Sequence, residues 1–256
     1  MNIETEVTQF LNGERFSSGL SWTIGRARLA VPTRWDIIGR LCKGKDVLHI
    51  GFADHLPLIE QKYREGRWLH GQLRAVARTC VGIDINEDAV QFVRDRLGVD
   101  CVYVADVTKE LPSDVSNVAW NVVVLGEILE HLDDAGSFLR SLIRSLKLRE
   151  DTKLIVTVPN ATSYLSVRAA LHNKEYVNTD HRYWFSPYTI AKLLTHAGWA
   201  PEEITFCEPS AWWRSPRLLA HPLQTLHRTI LSLWPTLSET VVVVATPKST
   251  PLLATK

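Results

Sequence analysis

The sequence has no excess of charge of either sign. Its 256 residues include 29 lysines and arginines against 28 aspartates and glutamates, which leaves a formal net charge of +1. A protein that attracts nucleic acid through its overall field needs a large positive excess. We therefore expect no nucleic-acid partner, because an acidic ligand would depend on a local basic patch.

Cysteine is scarce, and the four cysteines show no Cys-x-x-Cys spacing. They stand at positions 42, 80, 101 and 207. Cys80 and Cys101 lie in apolar runs that are typical of buried strands. We expect reduced core thiols, as in a cytoplasmic protein.

Long apolar runs are absent as well, since no uninterrupted stretch approaches the length of a membrane span. The first six residues are acidic and contain no apolar segment, so we expect no signal peptide. Hydrophobic residues make up 45% of the chain and charged residues 22%, a balance that is ordinary for a soluble globular protein. The length suits one α/β domain with insertions, or at most two small domains.

The chain does contain a regular alternation of strand and helix patterns. Short, β-branched apolar runs predict buried strands over 47–50, 81–84, 101–105, 121–125 and 154–158. Helical patterns cover 69–78, 87–97 behind an Asn86 cap, and a stretch that begins after Asp133 or Asp134. Strands that alternate with helices predict an α/β fold with a doubly wound, mostly parallel sheet.

The last part of the chain departs from this alternation. A helical pattern over 186–198 ends at Gly198 and is followed by strand patterns over 203–207 and 240–246. These two runs bring the predicted sheet to seven strands.

Two of the predicted strands end at residues suited to a nucleotide-type cofactor. The run 47–50 stops at Gly51, and the run 81–84 stops at Asp84. Glycine lets the backbone approach a ligand without a Cβ in the way, and a following helix offers free N–H groups. A carboxylate at the end of the next strand can accept both hydrogens of a ribose diol.

Four further motifs follow in order along the chain. They are Asp106 after the third strand, residues 126–132 (Gly-Glu-Ile-Leu-Glu-His-Leu) after the fourth, residues 157–160 (Thr-Val-Pro-Asn) ending the fifth, and residues 197–199 (Ala-Gly-Trp) before the sixth. Taken with Gly51 and Asp84, this order resembles that of the class I S-adenosylmethionine-dependent methyltransferases over residues 45–246.

The resemblance implies S-adenosylmethionine as cofactor and a Rossmann-like sheet whose last strand is antiparallel. The residues that it implies in cofactor binding are His49, Gly51, Ala53, Asp84, Ile85, Asp106, Val107, Gly126 and Glu127. Among them, Gly51 would pass under the methionine part and Asp84 would take the ribose hydroxyls. Asp106 would accept the adenine amino group. Ile85 and Val107 would sandwich the adenine ring.

The first motif departs from the family pattern. His49 stands where an acid normally opens the turn, and Ala53 and His55 stand where later glycines are expected. Gly51 and Asp84 are also 33 positions apart, whereas a direct turn, helix and strand place the acid about 20 residues on. We expect the extra residues, about 54–67, to form a loop or an added helix over the cofactor.

Two histidines are the predicted catalytic residues. His131 is the candidate general base, because a neutral imidazole can take a hydroxyl proton near neutral pH. The alternative is that Glu130 and His131 cap the helix that begins near Asp133. His181, next to Asp180, could form a second oriented base. Some relatives hold a divalent ion after the fourth strand, but two ligands do not make a site, so we predict no metal.

The resemblance also suggests a division of the chain. Residues 1–44 would form a helical cap, residues 45–247 the methyltransferase domain with an insertion at about 208–238, and residues 248–256 a tail. The insertion places Leu219, Leu223, Leu226, Ile230 and Leu233 on one helix face, surrounded by Trp212, Trp213, Arg214, Arg217, Arg228 and Trp234. That helix could pack on its own domain or over the acceptor pocket. It could also make a dimer contact or lie on a membrane surface, through residues 211–234.

The leading hypothesis is methyl transfer to a small-molecule or saccharide acceptor, on oxygen. A nicotinamide-dependent oxidoreductase is one alternative, although Gly51, Ala53 and Leu56 do not complete a Gly-x-Gly-x-x-Gly turn. The other alternative is a non-catalytic cofactor-binding scaffold that docks a partner or membrane through the tryptophan-rich insertion. An antiparallel seventh strand would favour the methyltransferase.

Overall fold

The computed structural model describes residues 3, 5–24, 31–54, 56–208 and 222–248. Its helices are α1 (Thr5–Asn12), α2 (Arg34–Cys42), α3 (Leu56–Arg64), α4 (Leu69–Val76), α5 (Glu87–Leu97), α6 (Ser113–Ser116), α7 (Ala135–Ser145), α8 (Tyr164–Leu171), α9 (Pro187–His196) and α10 (Pro222–Leu233). Short 3₁₀ turns cover Leu129–His131 and Pro235–Leu237. Its strands are β1 (Asp46–Ile50), β2 (Thr79–Asp84), β3 (Val102–Val104), β4 (Val122–Gly126), β5 (Lys153–Pro159), β6 (Trp199–Cys207) and β7 (Thr240–Pro247).

The seven strands form one sheet in the order β3-β2-β1-β4-β5-β7-β6. The first five strands pair in parallel, and β7 runs antiparallel to both β5 and β6. Six strands therefore point the same way and one runs against them. The predicted fold class and the antiparallel last strand are both confirmed.

The sheet is buried on both faces because its strands are apolar at nearly every position. Leu48 and Val123 face a cluster that includes Leu139 of α7 and Ile190 of α9. Their neighbours along the strands, including Val47 and Val122, face the opposite cluster, which contains residues of α2 and α4. Successive side chains of a strand point to opposite faces, so one apolar run supplies both halves of the core.

Helix boundaries follow side-chain caps that can be recognised in the sequence. The Asn86 side chain accepts a hydrogen bond from the Ala89 N–H at the start of α5, and Gly98 ends that helix with φ +64°. Asp134 caps α7, and Ser186 forms a capping box at the start of α9. These polar caps satisfy N–H groups that the first turn of a helix leaves unpaired.

The N-terminal helices α1 and α2 pack on opposite faces of the sheet. Val7 and Leu11 of α1 belong to the same core cluster as α9, and the Phe10 carbonyl accepts a hydrogen bond from Lys192. The segment before α2 is tied to the end of β6, because the Arg34 N–H donates to the Glu208 carbonyl at 3.0 Å. Residues that precede the sheet in sequence thus reach its edge.

The insertion between β6 and β7 is described only in part. Leu219, Trp212, Trp213, Arg214 and Arg217 lie outside the described residues, as do the side chains of Leu223 and Arg228. In α10, Leu231 is buried, whereas Leu226 and Leu233 of the predicted stripe are 56% and 53% exposed. Ile230, the other stripe residue whose side chain is described, is partly buried. Among the described helices, none has the length and apolar character needed to cross a membrane.

Candidate active site

The site lies where the carboxyl ends of β1, β2 and β4 meet. β1 pairs with β2 on one side and with β4 on the other, so the chain leaves β1 at the point where the strand order reverses. Ligands of open α/β sheets bind in the crevice at this switch point. Gly51, Asp84, Gly126 and Glu127 all come to this edge.

Gly51 makes the turn out of β1 with a left-handed backbone. Its φ is +65°, and its N–H donates to the Ile83 carbonyl at 2.8 Å. A Cβ at this position would lie 2.5 Å from Cδ1 of Ile128. Glycine is thus required at position 51 for two reasons: the left-handed backbone conformation and the close approach of the loop after β4.

Asp84 ends β2 and holds the loop that follows Gly51. Its two carboxylate oxygens accept hydrogen bonds from the Ala53 N–H at 3.0 Å and from the Asn86 N–H at 2.9 Å. The residue is 9% exposed. Burial raises the pKa of Asp84, and the N–H groups around it act in the opposite direction. A carboxylate has about four acceptor positions, so the side chain keeps capacity for a further donor.

Ile85 and Val107, which follow Asp84 and Asp106 in the chain, differ in exposure. Ile85 is 75% exposed, an apolar side chain standing open beside Asp84, whereas Val107 is 2% exposed. The predicted sandwich needs both side chains at the surface, but the Val107 side chain packs into the core. Asp106 accepts hydrogen bonds from the N–H and hydroxyl of Thr108 at 2.9 and 2.7 Å. These bonds lower the pKa of Asp106.

His49 lies behind the strand ends rather than in the crevice. It is buried, and its Nδ1 lies 3.3 Å from Nδ1 of His70. Burial, and then the charge of Arg34, lowers the pKa of His49 to about 3. The ring is therefore neutral at physiological pH. It occupies the layer between the sheet and α4, where the family pattern places an acid.

The turn after β4 carries backbone strain. Glu127 has φ +59° although it is not glycine, and such residues concentrate at functional sites. Its N–H donates to the Thr157 carbonyl at 2.9 Å. Its carboxylate pairs with Arg34 at 3.0 Å, and both side chains are partly exposed. The start of α2 thus places a guanidinium beside the acid that ends β4.

The extra residues after Gly51 form a helix, as the long spacing to Asp84 predicts. α3 spans Leu56–Arg64, and Lys62 pairs with Asp54 in the preceding loop. The Trp68 indole N–H donates to the Phe52 carbonyl at 3.2 Å. These contacts anchor both ends of the added segment, while His55 lies outside the described residues.

A second cluster begins at the 3₁₀ turn Leu129–His131. Glu130 is completely buried, and neither of its carboxylate oxygens accepts a hydrogen bond from another residue that the structure describes. Burial raises the pKa of Glu130 to about 8, and the charge of Glu127 acts in the same direction. The side chain points inward, so it does not cap α7, a role taken by Asp134.

His181 meets His131 although 50 positions separate the two residues in sequence. Their ring centroids lie 4.7 Å apart with an interplanar angle of 84°, and both residues are partly exposed. Burial, followed by the charge of His131, lowers the pKa of His181, whereas the charges of Glu127 and Asp180 oppose that shift. The structure thus joins the two predicted catalytic histidines.

The segment that carries His181 is held on the turn after β4. The Arg182 N–H donates to the Glu130 carbonyl at 2.7 Å, and the Arg182 side chain pairs with Asp133 at 2.6 Å. The Arg182 side chain also donates to the His131 carbonyl, and the Tyr183 hydroxyl donates to the Asp133 carbonyl. These bonds position His181 against His131.

Sequence reasoning missed two participants and the burial of a third. Arg34 precedes the sheet in the chain, and nothing in its local pattern indicates the contact with Glu127. His70 shows no motif, yet it is the partner of His49. The sequence places Glu130 with Glu127 and His131 on the acceptor side, but it does not show that Glu130 is buried, because that burial depends on segments that lie far away in sequence.

Comparison with known proteins identifies the family. A model of the methyltransferase domain matches residues 44–204, which is more than half of the chain. No curated protein sequence matches. A solved S-adenosylmethionine-dependent methyltransferase from Archaeoglobus fulgidus shares 20% identity at a TM-score of 0.50, covering 83% of this chain and 91% of that one.

Two further solved structures share the fold. An S-adenosylmethionine-dependent methyltransferase from Aquifex aeolicus has 14% identity and a TM-score of 0.50, with 83% of this chain and 88% of that chain covered. The small RNA methyltransferase HEN1 has 12% identity and a TM-score of 0.54, with 91% of this chain and 28% of that chain covered. Identities this low support the fold alone.

The residues at the switch point fit an adenosine-type cofactor. The Asp84 carboxylate retains acceptor capacity, Ile85 offers an exposed apolar surface next to it, and the Gly51 turn keeps side chains away from the crevice. The matched family model and the strand order point to the same cofactor. The chain belongs to the class I methyltransferases and is an enzyme that uses S-adenosylmethionine.

Proposed function

We propose that the enzyme transfers the methyl group of S-adenosylmethionine to a hydroxyl oxygen of a small molecule or a saccharide. The observation that carries the proposal is the contact between His131 and His181, whose rings meet 4.7 Å apart in a partly open position beside Glu127. Two imidazoles at the acceptor end of the site suit a substrate whose attacking atom first has to lose a proton.

S-adenosylmethionine supplies an electrophilic methyl group on a sulfonium. The protein's task is to hold donor and acceptor in line and to exclude water, because in-line displacement depends chiefly on position. Asp84 would bind the ribose hydroxyls, and the exposed Ile85 would cover one face of the adenine. Asp106 and the backbone of Val107 would bind the adenine edge.

The other predicted cofactor residues would act through their backbone or from the layer under the strand ends. Gly51 and Ala53 would shape the loop under the methionine part, and the Ala53 N–H already orients Asp84. Gly126 and Glu127 would border the transferred methyl group. His49 would support the strand ends from the layer between the sheet and α4. It would do so as a buried neutral ring, since its pKa is lowered to about 3.

His131 and His181 would act on the acceptor hydroxyl. Burial lowers the pKa of His181, which favours the neutral imidazole with a free lone pair on one ring nitrogen. The clamp formed by Arg182 and Tyr183 would hold this arrangement through contacts within the chain. Activation of the acceptor is therefore a separate function from cofactor binding.

A panel of acceptors tests the proposal. The purified enzyme is incubated with methyl-labelled S-adenosylmethionine and with phenols, aliphatic alcohols, oligosaccharides, amines, a peptide mixture or an RNA. Label should appear as an O-methyl product in the small-molecule or saccharide arms. Transfer confined to the RNA, peptide or amine arms would refute the acceptor class.

Variants sharpen the same assay. His131→Ala and His181→Ala should each lower the transfer rate by about 100-fold or more, the size expected for loss of proton handling. His172→Ala is the matched control, because His172 is an exposed histidine just after α8 whose Nδ1 lies 2.8 Å from the Arg168 carbonyl. Equal rates in all three variants would remove the histidine pair from the reaction.

We also propose that the enzyme works in the cytoplasm. All four cysteines are free thiols, and three of them, Cys42, Cys80 and Cys207, are buried. Burial raises the pKa of Cys42 and Cys80 to about 12, which makes these thiols unreactive. Free thiols are typical of a reducing compartment. Fractionation of cells that express the tagged chain tests the location.

A further inference from the structure

The acceptor end brings together three side chains that can bind a metal ion. Glu130 and His131 come from the 3₁₀ turn after β4, and His181 comes from the segment that Arg182 clamps onto that turn. Each of the three offers one ligand atom, and these atoms all lie within 4.8 Å of one another. The sequence supplied two candidate ligands close together, and the fold adds the third.

Glu130 is the strongest sign of a missing partner. It is 0% exposed, and no other described residue donates a hydrogen bond to either carboxylate oxygen. A buried polar group without a partner is costly, and natural structures seldom leave one without reason. A divalent ion between the carboxylate and the two imidazoles would satisfy both oxygens and the facing ring nitrogens.

The basic side chains nearby are engaged elsewhere. The Arg182 guanidinium pairs with Asp133 and donates to the His131 carbonyl. Arg34 pairs with Glu127 at 3.0 Å. The Arg182 backbone N–H does reach Glu130, but it donates to the main-chain carbonyl and not to the carboxylate.

The ligand set indicates the kind of ion. Two imidazoles and one carboxylate favour manganese, iron, cobalt or zinc in the divalent state over calcium, which prefers an all-oxygen shell. The cluster is closed on the Glu130 side and partly open at His131 and His181. Three protein ligands with an open side are typical of metal sites that bind a substrate, whereas structural sites are closed.

We propose that Glu130, His131 and His181 bind a divalent transition-metal ion, and that this ion takes the acceptor's hydroxyl oxygen into its open side. The assignment deepens the proposed function and rests on it for its catalytic meaning. The two histidines then serve as ligands. Coordination lowers the pKa of the hydroxyl, whose proton passes to solvent. The oxygen electron pair forms the O–CH₃ bond as the C–S bond breaks, and the electrons of that bond leave with the sulfur.

Manganese titration tests the site without reference to turnover. The full chain, free of any affinity tag and treated with a chelator, is titrated with Mn²⁺, and the unbound ion is followed by electron paramagnetic resonance. We expect one strong site per chain. Glu130→Gln, His131→Ala and His181→Ala should each weaken it by about tenfold or more, the scale on which loss of a ligand or its support acts.

His172→Ala is the matched control and should bind Mn²⁺ like the unaltered chain. Binding of S-adenosylhomocysteine, measured by calorimetry on every variant, shows that the fold is retained. The metal site is refuted if chain that binds S-adenosylhomocysteine takes up no Mn²⁺, Co²⁺ or Zn²⁺. It is equally refuted if the Glu130 and His181 variants bind the ion as well as the control does.

The acceptor assay separates this proposal from the proposed function. O-methyl transfer that continues at full rate after chelator treatment would overturn the metal site and leave the acceptor class intact. Mn²⁺ binding that is lost in the three variants, in an enzyme that methylates no hydroxyl, would support the metal site and overturn the acceptor class. Transfer that stops with the chelator and returns with Mn²⁺ supports both.

Discussion

The two ends of the active site are built in different ways. At the cofactor end, Asp84 binds the N–H groups of Ala53 and Asn86, and Gly51 turns the chain with its own backbone. At the acceptor end, Glu130 is buried without a hydrogen-bond donor from another described residue. The acid of the cofactor end is held by main-chain N–H groups of its neighbours, whereas the acid of the acceptor end has no such contact among the described residues.

This difference agrees with the proposed function, in which the acceptor end carries the specificity. Enzymes that share one cofactor can share the strand ends that bind it, while the chemistry of each acceptor calls for side chains that distant segments bring together. Here His181 reaches the turn after β4 through the Arg182 and Tyr183 clamp. If the two ends are as independent as their contacts suggest, substitutions at one should leave the other intact.

The largest expected effect is at Asp84. Asp84→Ala should weaken S-adenosylhomocysteine binding by about 10³-fold, because two hydrogen bonds to a charged group contribute about 1.5–3 kcal/mol each. Calorimetry measures the affinity, and Asp88→Ala, an exposed acid in the first turn of α5, is the control. Unchanged affinity would reject the cofactor site. A parallel loss of Mn²⁺ binding would show that the two ends are coupled.

Gly51→Ala should destabilise the fold by about 2–4 kcal/mol, combining the left-handed backbone with the contact to Ile128. Gly98→Ala separates the two causes, since Gly98 has φ +64° and no heavy atom within 4 Å of the added Cβ. That control should lose only about 1 kcal/mol. Urea unfolding gives both values. Equal losses of unfolding free energy in the two variants would mean that the Ile128 side chain moves aside at little cost. The turn would then need glycine for its backbone conformation alone.

Low pH should destabilise the packing between the sheet and α4, which lies beneath the cofactor end. The pKa of His49 is about 3 in the folded chain and about 6.5 when unfolded. The unfolded chain therefore binds more protons between these values, and stability falls as the pH drops below 6.5. Protonation of His49 in the unfolded chain should lower the free energy of unfolding by about 1.4 kcal/mol for each pH unit well below 6.5.

Urea unfolding at pH 7.5 and 5.5 measures this loss. His49→Asn should show a smaller difference between the two pH values than the unaltered chain. His172→Asn, at an exposed histidine, should keep the full difference. An unaltered pH dependence in His49→Asn would show that the ring accepts a proton in the folded protein.

The smallest effect on stability, and the most selective on function, is expected at Arg182. Arg182→Ala removes an exposed ion pair with Asp133 and should cost less than about 1 kcal/mol of folding free energy. It should nevertheless lower methyl transfer by about tenfold, because His181 loses its support at the reacting end. Cofactor affinity should stay the same.

Arg149→Ala is the control for Arg182→Ala, since Arg149 pairs with Asp151 in the loop before β5. It should change neither transfer nor cofactor affinity. If Arg182→Ala weakens S-adenosylhomocysteine binding as much as it slows transfer, the clamp serves both ends of the site and the separation fails.

Much of the fold follows from local signals. The α5 boundaries agree with the Asn86 cap and the Gly98 stop, because these residues satisfy the helix ends by themselves. The seventh strand was predicted from its valines. In α10, the stripe residues Leu226 and Leu233 are exposed, whereas Leu231, which lies outside the stripe, is buried. Helical spacing shows which residues share a face, but the neighbouring segments decide which face is covered.

The candidate site shows the same contrast between local signals and the effect of distant segments. Gly51 and Asp84 can be found in the sequence because each acts at the end of its own strand, where backbone geometry and adjacent N–H groups set its environment. The contact between Arg34 and Glu127, the burial of Glu130 and the meeting of His131 with His181 could not be found that way. The sequence alone determined the family, the sheet and the positions of Gly51 and Asp84 at the strand ends. Only the tertiary structure decided the acceptor end, because burial and side-chain contacts there depend on segments that the chain order keeps far apart.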